Sequence, residues 1–138
     1  MGSLWTVLIA APLAFILQTL AHELAHLLTA VHYGATSSTF KPWPHTYKGK
    51  FYFGRVQWRH PLGERIVGWP RAHIALAPYL LALIESGVFS LCWYETQAVV
   101  FAVFGAASFI DLIHGLIQPL WSTQCDVRTA VEAIRDNN

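Results

Sequence analysis

The sequence predicts an α-helical integral membrane protein of one domain, residues 1–138. It has three transmembrane helices, a short β-hairpin-like loop on the cytoplasmic or interfacial side, and a short C-terminal helix. Three observations carry this. Apolar runs at about 4–30, 69–94 and 96–121 are each long enough to cross a hydrocarbon core, which takes about 20 helical residues. Charged residues make up 12% of the chain, about half the share usual in soluble domains. The stretch between the first two runs is polar, aromatic and rich in strand formers.

The first run holds no Asp, Glu, Lys or Arg from Gly2 to Ala21. It lacks the basic start and the cleavage site of a signal peptide, so a retained helix is expected. Pro12, and Pro78 in the second run, fall inside spans, where neighbouring helices can satisfy a freed carbonyl. Between them, Thr36 to Gly68 centres on Lys50-Phe51-Tyr52-Phe53-Gly54-Arg55-Val56-Gln57-Trp58. Gly49 and Gly54 punctuate it, and Pro42, Pro44 and Pro61 flank it. One or two short strands, forming a hairpin at the membrane surface, are expected. Tyr94-Glu95-Thr96 reads as the turn between the second and third spans. After the third, Val127, Ala130, Val131 and Ile134 recur at helical spacing, with Asp126 as the expected N-cap.

Seven of the nine Lys and Arg residues lie between Lys41 and Arg71. Basic residues beside apolar spans report orientation, not nucleic-acid binding. The loop and C-terminus are therefore expected in the cytoplasm and the N-terminus outside. The six Trp residues suit anchoring at two membrane interfaces. Cys92 and Cys125 fall near opposite faces, too far apart for a disulfide. The partners implied are the lipid bilayer and what it carries; oligomeric state is not readable.

Near the end of the first span stands His22-Glu23-Leu24-Ala25-His26. Residues four apart share a helix face, so both imidazoles can address one metal ion. Glu23 lies beside that face, where a carboxylate can take a proton from water. This is the H-E-x-x-H arrangement of zinc hydrolases. Ionisable groups inside an apolar span are costly and mark functional interiors. A catalytic zinc usually takes three protein ligands. Spans one and three end on the same side, so the third ligand is sought at the end of span three. Asp111, His114, Cys125 and Asp126 are the candidates. Asp111 and His114 also read as a polar pair between helices. Regular helical rise puts Asp111 level with His22 and leaves Asp126 shallow, unless the chain unwinds after Pro119 and returns. His73 reads as an interfacial residue, and His32, His45 and His60 as solvated.

His22-Glu23-Leu24-Ala25-His26 followed by His32-Tyr33-Gly34 resembles the first motif of the site-2 protease family of intramembrane zinc metalloproteases. Ile117-Gln118-Pro119 leading to Cys125-Asp126-Val127-Arg128 resembles that family's second motif, an Asn-x-x-Pro stretch followed by Asp-Gly. Val127 stands where the family has Gly, and Gln118 where it has Asn. Ala75-Leu76-Ala77-Pro78 is similar to a stretch of the middle helix. The resemblance covers all three spans. It implies Zn2+ held by His22, His26 and Asp126, and Glu23 as the general base. Gln118 or His114 would hydrogen-bond the substrate backbone or the developing oxyanion. The substrate would be a membrane protein or peptide. Two alternatives belong to other classes. One is a haem-binding redox protein using His22 or His26 with His73 and His114, which leaves Glu23 without a task. The other is an inactive protease-like scaffold.

The charge distribution makes a direct prediction. Single cysteines at positions 48 and 138 should label from the cytoplasmic side and one at position 95 from the outside. Labelling of 48 and 95 from the same side would overturn the three-span topology.

Overall fold

The computed structural model describes residues 2–59, 66–120, 122 and 125–135. Trp121, the expected end of the third span, lies outside them, as do His60, Pro61 and Asn138. Four helices account for most of the chain: α1 (Gly2–His32), α2 (Gly68–Thr96), α3 (Val99–Ile117) and α4 (Asp126–Arg135). Three apolar stretches, Leu4–His32, Gly68–Thr96 and Val99–Leu120, are long and apolar enough to cross a membrane.

The packing is inverted relative to a water-soluble core. Leu4, Ile9, Ile16, Leu80, Ile84, Leu91, Ile110 and Leu116 are exposed, while Ala10, Ala14, Ala30, Ala72, Ala75 and Ala82 are buried. Small residues at helix contacts let backbones approach closely, the usual solution where lipid removes the hydrophobic drive between helices. Gly115 shows the closeness. A Cβ there would fall 1.9 Å from Cε1 of Tyr79, so the α3 backbone rests on the Tyr79 ring.

α1 ends in a Schellman motif. Gly34, at φ 80°, donates its N–H to Val31, and Ala35 donates to Ala30. This turns the chain into four strands, more than the hairpin expected. β1 (Thr36–Lys41) pairs antiparallel with β4 (Arg55–Arg59), and β2 (His45–Tyr47) with β3 (Lys50–Tyr52). The two pairs are nested: a tip hairpin above a base ladder. Pro42 and Pro44 interrupt one arm, and Phe53-Gly54 the other; proline has no N–H to give a ladder. The tip turn is Lys48-Gly49, both at positive φ, as a two-residue hairpin loop demands.

The hairpin lies along α1, not merely at the surface. Trp58 packs on the buried cluster of Ala30, Ala35 and Ile74. Phe53 meets Phe15 edge to face, ring centroids 5.4 Å apart. Phe15 and Ala30 are about 22 Å apart along a helix axis, so the β arms cover the C-terminal half of α1.

The α2–α3 turn falls at Gln97-Ala98, three residues past the expected Tyr94-Glu95-Thr96. Thr96 donates its hydroxyl to the Cys92 carbonyl, and Gln97, left-handed at φ 54°, donates its N–H to Trp93. These bonds carry α2 further. α3 closes in a 3-10 turn, Gln118–Leu120, around Pro119. α4 then packs back on α2, with Ala130 and Ala133 buried against Ala72 and Ala75. Ile134 joins this contact, whereas Val131, expected on the same face, is exposed. Asp126 is the first residue of α4, not its cap: Thr129 donates to the Cys125 carbonyl, which makes Cys125 the N-cap. Cys92 and Cys125 are free thiols.

The glycine contacts predict a contrast. Gly115→Ala must displace the Tyr79 ring and should cost about 1–3 kcal/mol, as overpacking does. Gly87→Ala meets nothing within 4 Å and should be neutral or slightly stabilising. Thermal unfolding in bicelles measures both; equal melting temperatures for the two variants would contradict the packing.

Candidate metal centre

His22 and His26 stand on one side of α1, ring centroids 5.0 Å apart. Each ring is tied at Nδ1. The His26 Nδ1–H donates to the Ile74 carbonyl at 2.7 Å. Ile74 lies four residues before Pro78, which is fully buried inside α2. Proline has no N–H, so the Ile74 carbonyl lacks its helical partner. His26 supplies the missing donor, and a polar gap inside the bundle becomes the orienting bond of an imidazole.

His22 Nδ1 is 3.0 Å from Asp111 Oδ2, a carboxylate on α3. Asp111 also accepts from Gln18 Nε2 at 3.3 Å. Gln18 Oε1 in turn lies 2.9 Å from Ser108 Oγ, which is 3.4 Å from Glu85 Oε2. A polar chain thus runs from His22 through all three long helices near their middles. In an apolar bundle such groups must satisfy one another.

With Nδ1 the donor in both rings, Nε2 carries the lone pair. Both Nε2 atoms face Asp126. Oδ2 of Asp126 lies 3.2 Å from His26 Nε2 and 3.7 Å from His22 Nε2. Ligand atoms from His22, His26 and Asp126 all lie within 4.8 Å of one another. Donors on a tetrahedral zinc with bonds near 2.0–2.1 Å sit about 3.3 Å apart. Two imidazoles with anchored Nδ1 atoms and one carboxylate make a donor set that could hold a metal ion, and their chemistry suits zinc. When both rings carry a second proton, at Nε2, their hydrogen bonds and charges outweigh the burial that disfavours charge on Asp126 and hold its carboxyl well below the usual range; with neutral rings a cation would take that place. Tyr79 donates its hydroxyl to the same Oδ2 at 3.2 Å.

The depth conflict between Asp111 and Asp126 resolves as a division of labour. Asp111 is level with His22 and meets Nδ1. Asp126 returns to the Nε2 side because α3 stops at Ile117 and α4 folds back on α2.

Glu23 is 8% exposed. Gly54, between β3 and β4, rests on it: a Cβ at Gly54 would fall 2.6 Å from Glu23 Cγ. Trp58 of β4 faces His26, ring centroids 6.2 Å apart. The β arms therefore form one wall of the centre. Of the remaining expected site residues, His114 is exposed on α3 and Gln118 half-buried in the 3-10 turn. Neither belongs to the cluster of three donors. His73 hydrogen-bonds Tyr33 and packs near Trp69. Sequence reasoning missed Tyr79, Gln18, Ser108 and Gly54. Only the role of Pro78 had a readable signal, its four-residue offset from a carbonyl facing the motif.

Comparison of the chain with protein-family models, with curated proteins and with solved structures finds no match.

Metal titration of purified variants tests the division of labour. Asp126→Ala should abolish tight zinc binding. Asp111→Asn and Pro78→Ala, which alter only what holds the imidazoles, should each weaken it about 10-fold to 100-fold. Zinc retained in Asp126→Ala but lost in Asp111→Asn would exchange the two aspartates' roles.

Proposed function

We propose that the chain is an intramembrane zinc metalloprotease, hydrolysing peptide bonds of membrane-embedded or membrane-proximal substrates. The observation that carries this reading is the placement of Glu23. A buried carboxylate stands one residue from His22, beside three convergent donors of zinc type. A purely structural metal site has no use for that carboxylate, and haem ligation leaves it without a task.

Zinc bound there would supply Lewis-acid activation of water and of the scissile carbonyl. His22, His26 and Asp126 would hold it. Glu23 accepts the proton of the attacking water and delivers it to the leaving amine. Gln118 and His114 are the proposed hydrogen-bonding contacts for the substrate backbone or the developing oxyanion. The low dielectric of the bundle strengthens each of these charge interactions.

A helix hides its peptide bonds, so a membrane substrate must be held extended. β4 pairs with β1 and passes His26 at Trp58, and Gly54, just before it, rests on Glu23. Strand addition along this β segment is the proposed mode of presentation. The chain is read as multi-pass, with its N-terminus outside and the basic loop cytoplasmic.

Glu23→Gln keeps size and polarity and removes the base. Zinc should be retained, and cleavage of a membrane peptide should fall at least about a hundredfold. Turnover near that of the parent chain would refute the role of Glu23. A Soret band in the purified protein would replace the protease reading with haem binding.

A further inference from the structure

His45 opens β2 and reads from sequence as a solvated loop residue. In the structure it is half-buried in the tip hairpin. Its ring stacks on Tyr52, centroids 5.9 Å apart and planes 23° apart. Its Nδ1 is 2.8 Å from the Trp43 carbonyl. A carbonyl only accepts, so Nδ1 carries the proton and Nε2 of the neutral ring is an acceptor. That Nε2 is buried and has no hydrogen-bond partner among the described residues. Buried polar atoms are rarely left so, and each exception asks for an explanation.

Two observations say where this acceptor stands. The strands that carry His45 cover Glu23 through Gly54, on the partner arm of the same hairpin. His45 also pairs across the hairpin with Tyr52, two residues before the Gly54 that rests on Glu23. The tautomer is fixed by Trp43 and the ring plane by Tyr52, so the lone pair has a set direction. What complements a buried acceptor beside the proposed base is a donor brought by the substrate. An extended peptide offers one at every residue, its backbone N–H.

We propose that His45 is a substrate-binding residue whose Nε2 accepts a backbone N–H of the peptide held against Glu23. The proposal rests on the protease reading for its substrate class, and its test is separable from it. The probe is a dansyl-labelled Leu/Ala peptide of membrane-spanning length with a central Gly-Gly pair. In a companion set, each of the four central amides is replaced in turn by an ester, which removes one N–H. Binding is measured to the zinc-loaded, full-length Glu23→Gln chain in bicelles, where turnover does not interfere.

His45→Asn keeps a donor for the Trp43 carbonyl and loses the acceptor at Nε2. It should weaken binding of the all-amide peptide about five- to tenfold, the scale of one buried hydrogen bond, with zinc content unchanged. His45→Gln, whose Oε1 reaches towards the Nε2 position, should recover part of the loss. One ester should cost the same factor in the His45 chain and nothing in His45→Asn, the coupling expected of two groups in contact. Costs that simply add would overturn the proposal and leave Nε2 to a water. Loss of zinc in His45→Asn, or no binding of any peptide, would overturn it as well. Cleavage by the chain with Glu23 intact is read separately. Coupling without cleavage keeps His45 and sinks the protease; cleavage with additive costs does the reverse.

Discussion

The arrangement depends on one constraint: a polar group inside an apolar helix bundle must find its partner within the protein. His22 and His26 are costly residues for a span. Each is held by a group that is itself costly or unsatisfied, Asp111 in one case and the Ile74 carbonyl in the other. Because both tethers act on Nδ1, both Nε2 atoms converge. Gln18, Ser108 and Glu85 extend the same logic across α1, α2 and α3. The bundle is thereby fixed in register by hydrogen bonds where its apolar contacts, made largely by alanine and glycine, specify little.

Pro78 shows how a local defect sets the geometry of a distant residue. In a soluble helix the carbonyl left open by proline can turn to water. Here Ile74 is buried between helices, and α1 supplies the donor. The loss of one helical bond in α2 thus selects the rotamer and tautomer of His26. Gly115 acts in a comparable way from α3: with no Cβ, it lets the Tyr79 ring pass, and Tyr79 reaches Asp126. Asp126 of α4 is therefore met by groups on α1 and α2, with α3 acting on it through the Tyr79 ring.

Much of this was legible in the chain. Apolar length and charge distribution gave the three long helices within a few residues, because lipid leaves few alternatives to helix. The spacing of His22, Glu23 and His26 placed their side chains, because helical periodicity is rigid. The return of Asp126 was harder. Uniform rise put Asp111 at the right depth, and only the breakers Pro119 and Ser122 hinted that α3 would stop. The path of the β arms was not legible at all. The strand formers of Lys50–Trp58 indicate strands, but not that they turn back along α1 as far as Phe15. That path is set by aromatic contacts between Phe53 and Phe15 and by the absence of a side chain at Gly54. Neither has a periodic signature. The surroundings of His45 depend on that path as well.

The two walls of the centre are built from different materials. The helical wall is tied by directional hydrogen bonds at 2.7–3.3 Å to His22, His26 and Asp111. Such bonds lose most of their strength when misaligned, so this wall holds its donors in fixed positions. The β wall touches α1 through edge-to-face rings and through the bare backbone of Gly54 against Glu23. These are packing contacts, with no donor–acceptor pair to hold them in line. Metal ligation needs the first kind of wall, since ligand positions must hold to a few tenths of an ångström. On the protease reading, admission of an extended chain to a carboxylate as enclosed as Glu23 needs the second, since whatever covers it must give way without disturbing the imidazoles. By this division, changes in Gln18, Asp111 or Pro78 act on His22, His26 and Asp126, and changes in the β arms act on the cover of Glu23.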